Sequence, residues 1–352
     1  MFFIKNIIKI VLGIGALFAI YFALSILAAI TFDYNPENLI ELDINGSSEE
    51  LAPIGEIIDI TTFNIGYCGL EKEQDFFMDG GKSSRGGSKE KVQENLHAIV
   101  TKLNEISPDL VMLQEVDKKG HRSFDVNQVE YIEENLLSNT SYAYGVNYDV
   151  KWVPLPITKP MGGALSGLMT ISKYKVDKAT RLSLPSSQDI PKKFFDLDRC
   201  LMETEIAVDN GKKLYLVNVH LSAFDKGGSV RKKQMDFVMD YLNEKRKNGD
   251  YIIMGGDWNH ILNDKLNANY DVLPSWIVEI PESFYVEGFK MYSPDIATVR
   301  DNEKAYEKGV TFESIIDGFY VSDNVEVKSI KGYELGFENS DHNPVSIEVI
   351  LK

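Results

Sequence analysis

From Ile10 to Ile30 the chain reads IVLGIGALFAIYFALSILAAI, with no charge in it. At about 1.5 Å per helical residue this run spans roughly the 30 Å of a bilayer core. It is apolar all round, so it has no polar face to turn outward from a globular domain. Lys5 and Lys9 precede it while Asp33, Glu37 and Glu41 follow. That asymmetry predicts a single-pass membrane helix with a cytoplasmic N-terminus and an extracytoplasmic remainder. A cleaved secretory signal is the alternative, but its apolar core is shorter, about 7 to 15 residues, and no small-x-small site closes the run. Residues 1–32 are therefore expected to be a cytoplasmic stub and transmembrane anchor. Residues 33–56, DYNPENLIELDINGSSEELAPIGE, mix acids with Pro, Gly and Ser and read as a linker. Residues 57–352 remain for one domain.

That remainder alternates short apolar strands with amphipathic helices and shows no internal repeat. IIDITTFNI is β-branched and predicts a strand. In KEKVQENLHAIVTKLNEI, Val92, Leu96, Ile99, Val100, Leu103 and Ile106 follow helical spacing, and Ser88 is placed to cap the start. The buried strand LVMLQ follows at once. CLMETEIAVDNGKKLYLVNVHL predicts two strands joined at Asn210-Gly211, a dipeptide that tolerates the positive φ of a tight hairpin turn. Next come a helix in VRKKQMDFVMDYLNEKRKNG, ending near Gly249, the strand YIIMGG, and closing strands in VTFESIIDGFYVS, VEVKSIKGY and PVSIEVIL. Strands and helices in this mixed order predict an α/β fold with helix-covered sheets.

Charge and cysteine content narrow the function classes. Net charge is −16; only Lys5 and Lys9 are charged in the first 30 residues, so the rest carries 35 basic against 53 acidic residues, or −18. Such a surface repels anions at long range, and no basic stripe suits processive, sequence-independent binding of a polyanion. A bound divalent cation can still neutralise one local site. Cys68 and Cys200 are the only cysteines, and with no CxxC or Cys/His spacing they predict no zinc cage. Two separate, partly buried thiols are expected, with one disulfide as the extracytoplasmic alternative.

Polar residues where strands end are the informative ones, because the strand fixes the backbone while the loop frees the side chain. They are Asn64 after ITTF, Gln114-Glu115 after LVML, Asn218-Val219-His220 after LYLV, Asp257-Trp258-Asn259 after IIMGG, Asp317 after ESII, and Ser340-Asp341-His342 before the last strand. Each alone has a structural explanation as a solvated acid, a turn former or a hydrogen-bonded histidine. Three of the five histidines, His220, His260 and His342, fall in or beside these clusters, with acids and amides that have no core role. His260 could be only a neighbour of the DWN motif, and His97 and His121 lie outside the motifs.

In the order FNIG, LQEV, NVHLS, GGDWNH, IDGFYVS and SDHNPV, these segments resemble the endonuclease/exonuclease/phosphatase superfamily of divalent-metal phosphoesterases, across residues 57–352. The resemblance implies a four-layer α/β/β/α sandwich of two mixed sheets with the active site at one sheet edge. It implies Glu115 as the principal ligand of Mg²⁺ or Mn²⁺, with Asn64 and Asp341 beside it. His342 would meet the attacked phosphate or activate water, oriented by Asp317. Asp257 and Asn259 would position the water and hold a phosphate oxygen, and His220 would donate to another. Whether His342 or Asp257 takes the proton stays open.

Two loops bear on the substrate. MDGGKSSRGGSKE, residues 78–90, could fold over an anion with backbone NH donors and Lys82 or Arg85, or be a plain surface loop; it lacks Walker spacing. YDVKWVPLPITKPMGGALSG, residues 148–167, carries Trp152, Val153, Leu155, Pro156 and Ile157, which could roof the sheet edge or dip into a lipid interface. The favoured substrate is a phospholipid or small phosphodiester, as in the family's sphingomyelinase branch. An extracellular nuclease of the DNase-like branch and a non-catalytic tethered binding module are the alternatives. Nothing points to an obligate protein partner.

Overall fold

The fold is seen in a computed structural model that describes residues 2–352 except 137–138, 224, 226–227, 271–272 and 275; of residues 267–269 it describes the backbone. In chain order the strands are β1 (Leu39–Glu41), β2 (Ile44–Gly46), β3 (Ile58–Asn64), β4 (Leu110–Gly120), β5 (Ser141–Val153), β6 (Gly162–Ser172), β7 (Val176–Ser183), β8 (Cys200–Ala207), β9 (Lys213–His220), β10 (Tyr251–Asp257), β11 (Phe289–Tyr292), β12 (Val299–Arg300), β13 (Glu313–Ser314), β14 (Asp317–Ser322), β15 (Val325–Gly332) and β16 (Val345–Leu351). The helices are α1 (Phe2–Thr31), α2 (Lys89–Ile106), α3 (Gln128–Asn135) and α4 (Ser229–Lys245). One seven-stranded sheet has the order β1-β7-β8-β9-β10-β14-β11 and the other β15-β16-β3-β4-β6-β5-β2. Both are mixed: β9 with β10 and β3 with β4 are parallel, and the remaining neighbours antiparallel.

Alternation along each central strand builds two kinds of core, because successive side chains point to opposite faces. Ile60, Met112, Leu216, Ile253, Phe319 and Ile347 meet between the sheets. On the outer faces, Val111 and Leu113 pack with Val92, Leu96 and Leu103 of α2 and Ile132 of α3. Val217, Ile252 and Met254 pack with Met235, Val238 and Leu242 of α4. The result is the expected sequence of four layers, helix, sheet, sheet, helix.

Local signals act as their chemistry requires. The Ser88 side chain accepts from Lys91 N and caps α2. Gly211 adopts φ +82 in the β8–β9 turn, and Gly249 takes the left-handed conformation after the short turn that ends α4. Residues 33–56, read above as a linker, include two short strands: β1 pairs with β7 and β2 with β5, one at an edge of each sheet. The apolar residues Leu39, Ile40 and Ile44 give this segment enough β character to do so.

Helix α1 is long and apolar enough to cross a membrane, a property it shares with secretory signals. Residues 2–20 are exposed along their whole length, whereas Ser25 and Ala29 are buried against the domain. Trp152 donates from Nε1 to the Tyr21 hydroxyl at 3.1 Å.

Gly256, in the GGD motif, shows how tightly β10 is seated. Its φ is +143, and a Cβ there would lie 2.1 Å from the Val219 carbonyl oxygen. Gly256→Ala is expected to cost at least about 1 kcal/mol, because the neighbouring backbone has to move; denaturant unfolding with an unchanged midpoint would contradict this.

Candidate active site

Topology gathers the strand-end residues. The parallel pairs β3/β4 and β9/β10 end on the same edge, and there β14 and the segment before β16 begin. Across β10, Asp257 pairs with His220 on one side and Asp317 on the other. Asn64 ends β3, opposite Gln114. Glu115, His220, Asp257, Asn259, Asp341 and His342 line one cleft. Asn64 joins them through its hydrogen bonds, and Asp317 through His342.

Backbone strain marks this edge. Glu115 (φ 55) and Asn259 (φ 49) both lie in the left-handed region, where non-glycine residues persist only if their surroundings hold them. Glu115 falls where the β4–β6 register shifts between Leu113 and Val116, a bulge that turns its side chain out of the ladder. Gly66 (φ +49) sits below Asp341; a Cβ on it would approach Asp341 Oδ1 to 2.7 Å.

Asp257 is the hub. Its Oδ1 accepts from Asn259 N at 2.9 Å and its Oδ2 from Asn64 Nδ2 at 3.0 Å. His220 Nε2 lies 3.4 Å and His342 Nε2 3.7 Å from that same Oδ2. Burial raises the Asp257 pKa, His342 lowers it, and Asp317 raises it again, with a net position of about 7. His342 donates from Nδ1 to Asp317 Oδ2 at 2.9 Å. Burial alone would depress this imidazole, but Asp317, then Asp257 and Asp341, carry it up to about 10. His220 is held well below the usual imidazole range by burial first and then by Arg199, His342 and Arg122. Two histidines a few ångströms from one carboxylate thus differ in charge at neutral pH.

On the other side of the cleft, Glu115 Oε1 lies 3.5 Å from Asn64 Nδ2 and 4.0 Å from His220 Nε2. Burial raises Glu115, with Arg122 opposing and Asp341 adding to the rise. Asp341 Oδ2 accepts from Asn302 Nδ2 at 2.7 Å. Asn64 uses its Oδ1 to accept from Gly66 N at 3.0 Å, so it faces the acids with its NH₂ group. As placed it braces Glu115 and Asp257, and an oxygen from it could reach a cation only with the amide turned over.

The residues fit a divalent cation. Four carboxylates, Glu115, Asp257, Asp317 and Asp341, converge here, and those of Glu115 and Asp257 are pushed toward their neutral forms. That is what buried acids do when positive charge is short. Asp317 Oδ1 has no partner among the described residues. Asp257, Asp317 and His342 also bring one ligand atom each within 4.8 Å of one another.

Several residues of the site are not among those singled out from sequence. Arg122 stacks 4.0 Å from the Tyr67 ring, chelates Asp117 through Nε and Nη2, and lies 3.6 Å from Glu115. Arg199 is 7% exposed and lines the cleft, yet its Nε and Nη1 have no partner among the described residues. Asp79, raised to about 7 by burial first and then by Asp341, lies on the rim. Nothing in their local sequence distinguishes them, since their importance comes from burial beside the acids. Gln114 and Asn218, both named from sequence at strand ends, lock the sheets together beneath the site, Gln114 Nε2 donating to Asn218 Oδ1 at 2.8 Å.

His260 donates from Nδ1 to the Trp258 carbonyl at 2.6 Å and is lowered to about 4 by burial, a structural neighbour. His97 meets the Tyr131 hydroxyl, and His121 accepts from Gly163 N. Among the described residues Cys68 and Cys200 are separate buried thiols. The loop at 78–90 is not a free anion cradle: Arg85 donates to the Pro160 carbonyl and Ser84 to that of Lys159. Val153 is buried and Trp152 half-buried, whereas Leu155 and Ile157 are 44% and 48% exposed.

Because the folded pKa of His342 stands above the ordinary imidazole value, its charge stabilises the fold fully below about pH 6.5, and that contribution is lost as pH rises toward about 10. Thermal melting of metal-free protein is expected at lower temperature at about pH 10 than at pH 7, with a shallower decline in His342→Gln. Parallel curves for parent and variant would contradict the charged His342–Asp317 pair.

The model of the Endonuclease/Exonuclease/phosphatase family matches residues 61–342. No curated protein matches the sequence significantly. Among solved structures, an endonuclease/exonuclease/phosphatase from Beutenbergia cavernae DSM 12333 superposes with TM-score 0.52 at 16% identity, over 84% of this chain and 72% of that one. TDP2 of D. rerio, complexed with single-strand DNA product, gives TM-score 0.52 at 17% identity, over 84% and 99%. The human Nocturnin catalytic domain, with bound sulfate anion, gives 0.51 at 15%, over 88% and 97%. At these identities the likeness is one of fold. The family match covers most of the chain, and with the observed sandwich and its edge cleft it shows that the chain belongs to the endonuclease/exonuclease/phosphatase family.

Proposed function

We propose that the chain is a membrane-anchored, divalent-metal-dependent phosphoesterase, with Mg²⁺ or Mn²⁺ as the ion, whose favoured substrate is a phospholipid or small phosphodiester. The observation that carries this reading is the cleft's mixed lining. The acids, two histidines and Arg199 line it together with Phe76, Met161, Phe195 and Leu197, which belong to one apolar cluster. A phosphodiester with an apolar substituent matches both kinds of residue.

Glu115 and Asp341 are the residues that would hold the ion, with Asn64 aligning Glu115 and Asp257. This set leaves the His342–Asp317 hydrogen bond intact, whereas ligation by Asp257, Asp317 and His342 would break it. The ion would supply positive charge to the phosphoryl oxygens. His342, charged at neutral pH, donates to a phosphoryl oxygen, and neutral His220 donates to another. Asp257, near its midpoint at pH 7, is then the group suited to take a proton from the attacking water. Asn259 holds Asp257 through its backbone NH and gives one amide proton to the Leu221 carbonyl, leaving the second for the substrate. Arg199 meets an anionic oxygen with Nε and Nη1, which have no partner among the described residues.

The membrane anchor is α1, with the N-terminus cytoplasmic and the domain outside, as the flanking charges favour. An extracellular nuclease is the second reading, favoured by the shared fold of a protein solved with a DNA product and opposed by the net charge of −16. A tethered binding module is disfavoured because no site residue is replaced by an inert one.

Glu115→Ala and His342→Ala are each expected to reduce hydrolysis of a generic phosphodiester by at least about 10²-fold, and chelation to abolish it. Variants as fast as the parent would move the site elsewhere. Release of phosphocholine from sphingomyelin vesicles, set against nicking of plasmid DNA, separates the substrate readings; cleavage of DNA alone would end the lipid preference. Arg199→Met is expected to weaken turnover by at least about tenfold, the loss of one charge-assisted hydrogen bond, without changing the melting temperature on the scale of a core defect.

A further inference from the structure

We infer that the loop between β5 and β6, residues 154–161, is seated in the lipid bilayer beside α1, so that the cleft receives its substrate from the membrane surface. This rests on the reading of α1 as a membrane helix and names where that reading puts the site. The loop and the helix are in contact: Tyr21 accepts from Trp152 and lies 3.5 Å from the Pro154 carbonyl, and Ile157 lines a groove with Ile14, Leu17, Phe18 and Tyr21. The loop tip thus lies alongside the charge-free part of the helix.

Length decides how deep it goes. From Lys9 to Tyr21, where the domain begins to cover the helix, is about 18 Å, and from Lys5 about 24 Å. Both fall short of a hydrocarbon core of roughly 30 Å. With either lysine at the far interface, the bilayer extends past Tyr21 onto the flank of the domain and takes in Leu155 and Ile157. These are among the large apolar residues that the domain leaves exposed. Trp152 and Tyr21 are the aromatic types that favour the interface itself. Lys151 and Lys159 flank the tip in sequence, and the short turn Lys192–Phe194 packs on α1, which puts basic side chains near lipid phosphates in an otherwise acidic protein.

The same apolar cluster then leads into the site. Val153 and Met161, at the two ends of the loop, pack with Tyr148, Phe195 and Leu197, and Met161, Phe195 and Leu197 wall the cleft. A lipid can present its phosphoester to the acids without its chains crossing water, so the substrate class is an amphiphile held in the bilayer.

The test uses the full chain in phosphatidylcholine vesicles, with an environment-sensitive fluorophore on Ile157→Cys or on Lys212→Cys at the opposite edge of the sandwich. Cys68 and Cys200 are buried and leave the label to the new thiol. Lipids spin-labelled on the acyl chain are expected to quench the probe at 157 and leave that at 212 bright; equal quenching would overturn the inference. In a second arm, Leu155→Glu with Ile157→Glu is expected to keep the parental rate on a soluble phosphodiester. On sphingomyelin in vesicles it should lose at least about tenfold, since each acid forfeits the burial of a large aliphatic side chain. Unchanged rates on both substrates, or equal losses on both, would also overturn it. A parent inactive on both substrates would sink the phosphoesterase reading alone, because quenching reports the seating without turnover.

Discussion

The Asp257 carboxylate is the contact on which the site depends. It ends the central strand β10, whose parallel partner β9 delivers His220 and whose antiparallel partner β14 delivers Asp317. Asn64 crosses from the other sheet to bond it at 3.0 Å. One oxygen therefore ties both sheets of the sandwich to a common point. Close approach of the backbones makes this possible: Gly256 lets β10 lie against the Val219 carbonyl, and Gly66 leaves room for Asp341.

Burying so many charges together costs solvation, and the chain offsets it by pairing. Asp117 with Arg122, and Asp317 with His342, are hydrogen-bonded ion pairs. What remains unpaired is informative. Glu115 and Asp257 are drawn toward neutrality, and Arg199 Nε and Nη1 have no partner among the described residues. That surplus of both signs suits a cation on the acids and an anion on the arginine and histidines, which is the complement of a metal-bound phosphoryl group. The acidic exterior does not conflict with it, because the anion-binding groups act at short range inside a walled cleft.

The two loops read as distinctive from sequence work as one structure. Ser84 and Arg85 hold the carbonyls of Lys159 and Pro160, so the glycine-rich segment clasps the hairpin loop. Its cationic side chain serves the fold, and the apolar hairpin tip is left facing outward next to α1. Position in the fold thus narrows both readings: of anion cradle or surface loop, the hydrogen bonds of Ser84 and Arg85 make the first segment a brace, and of roof or interface tip, the second leaves Leu155 and Ile157 exposed.

Much of the fold was legible locally. Periodicity marked α2 and its neighbours, Ser88 and Asn210-Gly211 marked a cap and a turn, and polar residues after β-branched runs marked the site, because each of these depends on neighbours within a few positions. The strands at 39–46 were not legible, since pairing with β7 and β5 depends on sheet edges formed much later in the chain. Nor were Arg122, Arg199 and Asn302, whose roles come from burial beside acids distant in sequence, nor the turn of Asn64 that offers NH₂ to those acids. Sequence alone determined which residue types stand at the ends of strands, because alternation and turn chemistry are short-range. Tertiary structure alone decided which of them share a charge, a proton or a wall, because those depend on distances of a few ångströms between strands that only sheet pairing brings together.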